Sequence, residues 1–95
     1  MIKHILIFKF KPEVVEKEKD ICIEMLRSLK NKIPEIQEWE IGKQRQELDG
    51  YYDFVQVSSF ENIEAMNRFR GNLEHEKVRN YLKERADWVK VDYDI

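Results

Sequence analysis

The sequence predicts one α+β domain whose elements run β-α-β-β-α-β. Three observations carry that reading. Residues 2–10 and 88–95 each alternate between two faces as strands do. Two stretches with helical spacing lie between them, and a pair of strand patterns separates those two stretches. This order is the split βαβ, ferredoxin-like arrangement, a four-stranded antiparallel sheet with both helices on one face.

The first strand puts Ile2, His4, Leu6, Phe8 and Phe10 on one face and Lys3, Ile5, Ile7 and Lys9 on the other. Its centre is apolar on both sides, so both sides should be covered. Pro12 then stands where a first helical position would be, with Glu13 and Glu16 favourable in a first turn. Apolar residues at 22, 25, 26, 29 and 33 form the buried stripe of that helix. It should stop near Asn31, because the residue before Pro34 is pushed out of the α region.

A second strand is predicted over 36–45 and a third over 51–60, joined as an antiparallel hairpin by a long loop with an Asp49-Gly50 turn. The second helix opens at Glu61 or Asn62 and turns Ile63, Met66 and Phe69 inward. Gly71-Asn72 suits a helix C-cap and turn, and a further helical stretch with Leu73, Val78, Tyr81 and Leu82 follows. In the last strand Val89, Val91, Tyr93 and Ile95 share one face. Lys90, Asp92 and Asp94 share the other, which is expected to be solvated.

Composition narrows the class. Ninety-five residues make a single domain over 1–95, with 17 basic against 19 acidic side chains and a formal charge of -2. There is no basic surplus for a phosphate backbone, so no nucleic-acid partner is expected. The single Cys22 cannot form an internal disulfide, and its place on the helical stripe reads as a small hydrophobe. No apolar run is long enough for a bilayer, and no signal-peptide pattern precedes the first strand. The expectation is a cytoplasmic protein with no membrane partner.

Two helices cover only one face of such a sheet. The other would expose several hundred Å² of apolar surface, more than a monomer usually carries. A second copy packed face to face is the expected cover, giving a homodimer through the sheet faces.

The residues also resemble a family. The opening from Ile2 to Lys11, the Leu29…Ile33-Pro34 segment followed by a strand and Gly42, the pairs Asp53-Phe54 and Phe60-Glu61, and the segment from Phe69 to His75 are similar to the stress-responsive A/B barrel (Dabb) family. Those proteins are dimeric α+β barrels. At 69–75 the family pattern is usually Tyr, two variable residues, His-Pro, one variable residue, His. Here Phe69 stands for the Tyr, Asn72-Leu73 for the His-Pro, and His75 keeps the final His. The family includes plant stress-associated proteins, many bacterial proteins of unknown role, and a polyketide cyclase. In that cyclase the first-strand His and the last His of the pattern line the active site. The resemblance thus implies His4 and His75 as an acid/base pair. The cyclase's two assisting tyrosines fall on Leu26 and Phe69, which carry no hydroxyl, so its ring closure does not carry over. The resemblance does imply Leu26 and Phe69 as pocket residues.

Read as chemistry alone, His4 on an apolar face is either a core imidazole satisfied by a polar partner or a base of lowered pKa. His75, after the Gly71-Asn72 turn, is either a capping residue or the partner that divides acid and base roles with His4. Tyr52 is a further pocket candidate, because a buried hydroxyl seeks a partner. Glu74-His75-Glu76 does not make a metal site, since adjacent helical residues point apart and position 79 is Arg, not the second His of an H-E-x-x-H motif. No Gly-rich phosphate loop, CxxC pair or haem-ligand setting is present in the sequence, and no cofactor is expected. Two function classes follow. One is a stress-associated or ligand-binding dimer without catalysis, taking a small hydrophobic or aromatic molecule. The other is a cofactor-independent lyase or cyclase working through His4 and His75. The two missing hydroxyls favour the first.

Overall fold

Alternation at the start of the chain becomes β1 (Ile2–Phe10), followed by α1 (Glu16–Lys32), β2 (Glu38–Lys43), β3 (Phe54–Phe60), α2 (Ile63–Arg70), α3 (Leu73–Arg85) and β4 (Ala86–Asp94). The computed structural model describes residues 1–95. All strand pairs are antiparallel, in the order β2-β3-β1-β4, so β1 is central although it comes first in the chain. This is the ferredoxin-like α+β fold.

The even-numbered face of β1 meets the helices. Phe8 and Phe10 are buried there with Phe60, beneath Cys22, Leu26 and Leu29 of α1, Met66 and Phe69 of α2, and Val78 and Leu82 of α3. Arg85 links the ends of α1 and α3. Its guanidinium donates to Glu18 at 3.0 Å and lies 3.6 Å over the Tyr81 ring. No helix is long and apolar enough to cross a membrane.

Three local expectations change. Pro12 is not in the first helical turn. The chain turns at 12–13, and α1 opens at Glu16, with Val15 extended as its N-cap. The helical region after β3, a single α in the β-α-β-β-α-β order, divides into two helices at the Gly71-Asn72 turn that the sequence marked. Gly71 caps α2, and Asn72 caps α3 by accepting a 2.8 Å hydrogen bond from the Glu74 N–H.

The third change concerns β4. Its register sets Val89 and Val91 beside Ile7 and Ile5, on the sheet face away from the helices. The polar set containing Lys90 and Asp92 therefore shares the helix-facing side with Leu6 and His4, and on this edge strand it stays exposed, as the alternation suggested. A strand's apolar side identifies a buried face only if the chain itself supplies the cover. Here no element does. Ile5, Ile7, Val55 and Val57 lie half-buried on that face, with Val89 48% and Val91 52% exposed beside them. Gly42 belongs to the same face opposite Val55, where an added Cβ would come within 3.2 Å of a Val55 methyl.

Candidate active site

Sheet register decides which side chains meet. His4 stands opposite Asp92 on β4 and Ser58 on β3, and Ser58 stands opposite Trp39 on β2. Asp92, His4, Ser58 and Trp39 thus form one row across the helix-facing side. Two residues along, the next row is Lys90, Leu6, Gln56 and Ile41. Above these rows the α2–α3 junction delivers Phe69 and His75. A cavity of about 590 Å³ lies between, walled by side chains such as Leu26, Leu29, Met66 and Val78.

His4 is 9% exposed, and its Nδ1 donates a hydrogen bond to Asp92 Oδ1. A carboxylate can only accept, so this bond fixes the tautomer and leaves Nε2 as the nitrogen with a free lone pair. His75 sits in the first turn of α3. Its Nδ1 donates to the Arg70 carbonyl at 3.3 Å, and again Nε2 is left free. Burial holds the His75 pKa below its ordinary value of 6.5. The Arg70 carbonyl opposes that shift, while His4, Arg79 and Arg70 add to it. His75 is therefore a neutral imidazole at pH 7. The Phe69 ring packs against both histidines, with centroids 4.3 Å from His75 and 6.5 Å from His4.

Of the residues singled out in the sequence, His4, His75, Leu26 and Phe69 all line this cavity. Tyr52 does not join them. It lines a separate depression with Phe10, Asp53 and the 44–50 loop, toward the opposite end of β1 from His4. Sequence reasoning missed Asp92, Gln56, Trp39, Arg70, Arg79 and Lys90. Asp92 left a usable signal, since pairing the first and last strands antiparallel places it against His4. Gln56 and Trp39 carry unpartnered buried donors, Nε2 and Nε1, and Ser58 Oγ is likewise unpaired. No cluster of three or more His, Cys, Asp or Glu has the arrangement of a metal site. Cys22 is fully buried in α1, and burial pushes its thiol up to about 11, against a smaller opposing effect of Arg85.

Comparison with known proteins gives a consistent picture. The family model of the stress responsive A/B barrel domain matches residues 2–95. An uncharacterized protein of Streptomyces coelicolor is 27% identical over 97 residues, covering 100% of both chains. A dimeric protein of unknown function and ferredoxin-like fold from Bacteroides fragilis superposes with a TM-score of 0.81 at 25% identity, covering 99% of this chain and 95% of the other. A hydroxynitrile lyase from Passiflora edulis superposes with a TM-score of 0.89 at 19% identity, covering 99% and 92%. That last likeness is one of fold.

Proposed function

The chain belongs to the stress responsive A/B barrel domain family, and on that footing we propose a single-domain homodimer that binds a small ligand in the helix–sheet cavity and moves a proton on it at His4, with His75 holding the ligand in place. One observation carries the chemistry. Both imidazoles are anchored through Nδ1, one on a carboxylate and one on a carbonyl, and both line the same cavity with Nε2 free. A purely structural histidine has no need of that arrangement twice in one cavity.

The roles follow from the anchors. His4 Nε2 takes a proton from an acidic O–H or C–H of the ligand, and the imidazolium so formed rests against Asp92, as in a His–Asp pair of a hydrolase. The same Nε2–H then returns the proton to another ligand atom. His75, kept neutral by burial, accepts a hydrogen bond at Nε2 and orients the ligand. Leu26, Leu29 and Phe69 supply an apolar bed that suits an aliphatic or aromatic body. The Passiflora edulis protein, a hydroxynitrile lyase of the same fold, supports the idea that this architecture hosts such chemistry.

Dimerisation rests on the uncovered face. Ile5, Ile7, Val55, Val57, Val89 and Val91 form a continuous apolar field, and a second copy covers it at about 25 cal/mol per Å² of apolar area buried. The dimeric Bacteroides fragilis relative is in keeping with this.

The test uses two neutral probes, mandelonitrile, read by benzaldehyde release, and phenylacetaldehyde, read by α-proton exchange in D2O. The expected result is acceleration of at least one by the wild type and its loss in His4→Gln and His75→Gln. Solvent rates for both probes with wild-type protein would remove the catalytic reading. A ligand-binding protein without catalysis would then stand, a reading that Leu26 and Phe69 favour because they bring no hydroxyl to the cavity.

A further inference from the structure

We infer that the cavity ligand is a small organic acid with an apolar body and a carbonyl oxygen, held by its carboxylate at the mouth and by its carbonyl at Gln56 and Trp39. The inference shares its cavity with the proposed function but needs no turnover.

Two sets of groups point there independently. The first lies inside. Gln56 is 1% exposed, yet its Nε2 has no partner, and the Trp39 indole Nε1 is buried and unpartnered as well. Both are donors. They stand on adjacent strands in neighbouring rows of the sheet, and both line the cavity. A buried donor without an acceptor is costly, and two on residues that line one cavity call for an acceptor oxygen there. A hydrocarbon ligand would leave both unpaired. A carbonyl oxygen has two lone pairs and can satisfy the pair together.

The second set lies at the rim. Arg70, Arg79 and Lys90 line the cavity, and none forms an ion pair within the chain, whereas Glu76 is the one carboxylate lining it. The chain as a whole carries a formal charge of -2, so this positive mouth runs against the global balance. Exposed Arg and Lys side chains gathered at a cavity mouth favour anions there. Between rim and donors the walls are mainly apolar, with Leu6, Leu26 and Phe69 among them beside His4 and His75, which suits an apolar body for the ligand.

Three matched probes separate these elements, measured by isothermal titration calorimetry on the intact protein. Phenylpyruvate has all three features, 3-phenylpropanoate lacks the carbonyl oxygen, and methyl phenylpyruvate lacks the charge. Phenylpyruvate is expected to bind roughly tenfold or more tightly than either of the others, the usual scale for a charge-assisted or buried hydrogen bond. In Gln56→Leu the advantage over 3-phenylpropanoate should shrink toward unity while the advantage over the ester persists. In the Arg70→Gln, Arg79→Gln double variant the pattern should reverse. Gln56→Leu removes an unpaired buried amide, so it should fold at least as well as wild type, and the wild-type comparison alone still decides if it does not. Equal binding of acid and ester, or no binding of phenylpyruvate, would overturn the inference. Either result leaves the probe-turnover test of His4 and His75 intact, and failure of that test leaves this selectivity intact.

Discussion

Asp92 holds His4 across the β1–β4 pair, its carboxylate accepting from His4 Nδ1 at a separation of 88 positions along the chain. The bond is a sheet-register product, since the two residues are direct partners on the helix-facing side. It orients a nearly buried imidazole at a cavity wall and assigns its free nitrogen. The expected consequences of this and neighbouring contacts can be measured separately.

Asp92→Asn keeps the shape but offers an amide N–H to Nδ1. That stabilises the opposite tautomer and moves the proton to Nε2. Turnover of an accelerated probe should fall by roughly a hundredfold or more. Nitrogen-15 NMR should show the tautomer change, with the melting temperature shifted by no more than a few degrees. An unchanged tautomer with full activity would show that Asp92 plays no positioning part.

His75 gives a pH signature with a definite sign. Its folded-state pKa lies below the ordinary 6.5, so between these two values the unfolded chain binds more protons than the folded one. Stability therefore rises with pH in that window, and falls as the solution is acidified through 6.5. His75→Gln cannot titrate and should lose this slope. Urea denaturation of both proteins from about pH 5 to about pH 7.5 would show it.

Phe69 is 2% exposed and packs on Phe60 at 4.7 Å as well as on His75. Phe69→Ala should cost about 3–5 kcal/mol and loosen the cavity wall, while Phe69→Leu should cost less. Chemical denaturation gives the first number. A loss below about 1 kcal/mol for the alanine variant would mean the site collapses around the gap.

Dimer formation can be broken from the outer face. Ile5→Glu puts a charge into the centre of the apolar field, between Val57 and Val91, and should raise the dimer dissociation constant by roughly a hundredfold or more, read by sedimentation. The wild-type melting temperature should also climb with protein concentration, since association stabilises the folded state. A wild-type monomer at micromolar concentration with a concentration-independent melt would contradict the assembly.

Cys22 should be inert in the native protein. With its thiol raised to about 11, only about one part in a thousand is thiolate near pH 8, and the side chain is fully covered. Labelling with a disulfide reagent should be slow natively and fast in urea.

The sequence alone revealed the element order, because alternation and helical spacing are local signals. The buried stripe through Cys22, Leu26 and Leu29 and the core face of β1 could be read in the same way. Placement of Lys90 and Asp92 could not. Their strand has one apolar and one polar side, and no local rule says that the apolar side waits for another molecule while the polar side lines a cavity. Gln56 was hidden differently. A glutamine between Val55 and Val57 looks like an ordinary solvent-facing strand residue until β3 is placed between two neighbours. Tyr52 was read into a third strand starting at 51, but β3 opens only at Phe54, which leaves Tyr52 in the preceding loop beside Phe10 and Asp53. The break at Gly71-Asn72, by contrast, was marked by its own capping residues.

The 88-residue span between His4 and Asp92 also gives the site a history. During synthesis β1 emerges early and must wait for β4, with the intervening helices and hairpin already made. Pairings of such separation form slowly, and a half-made chain has no anchored imidazole at all. Any reactivity of the histidine pair would therefore be withheld from nascent or C-terminally frayed molecules and would switch on only when the sheet closes.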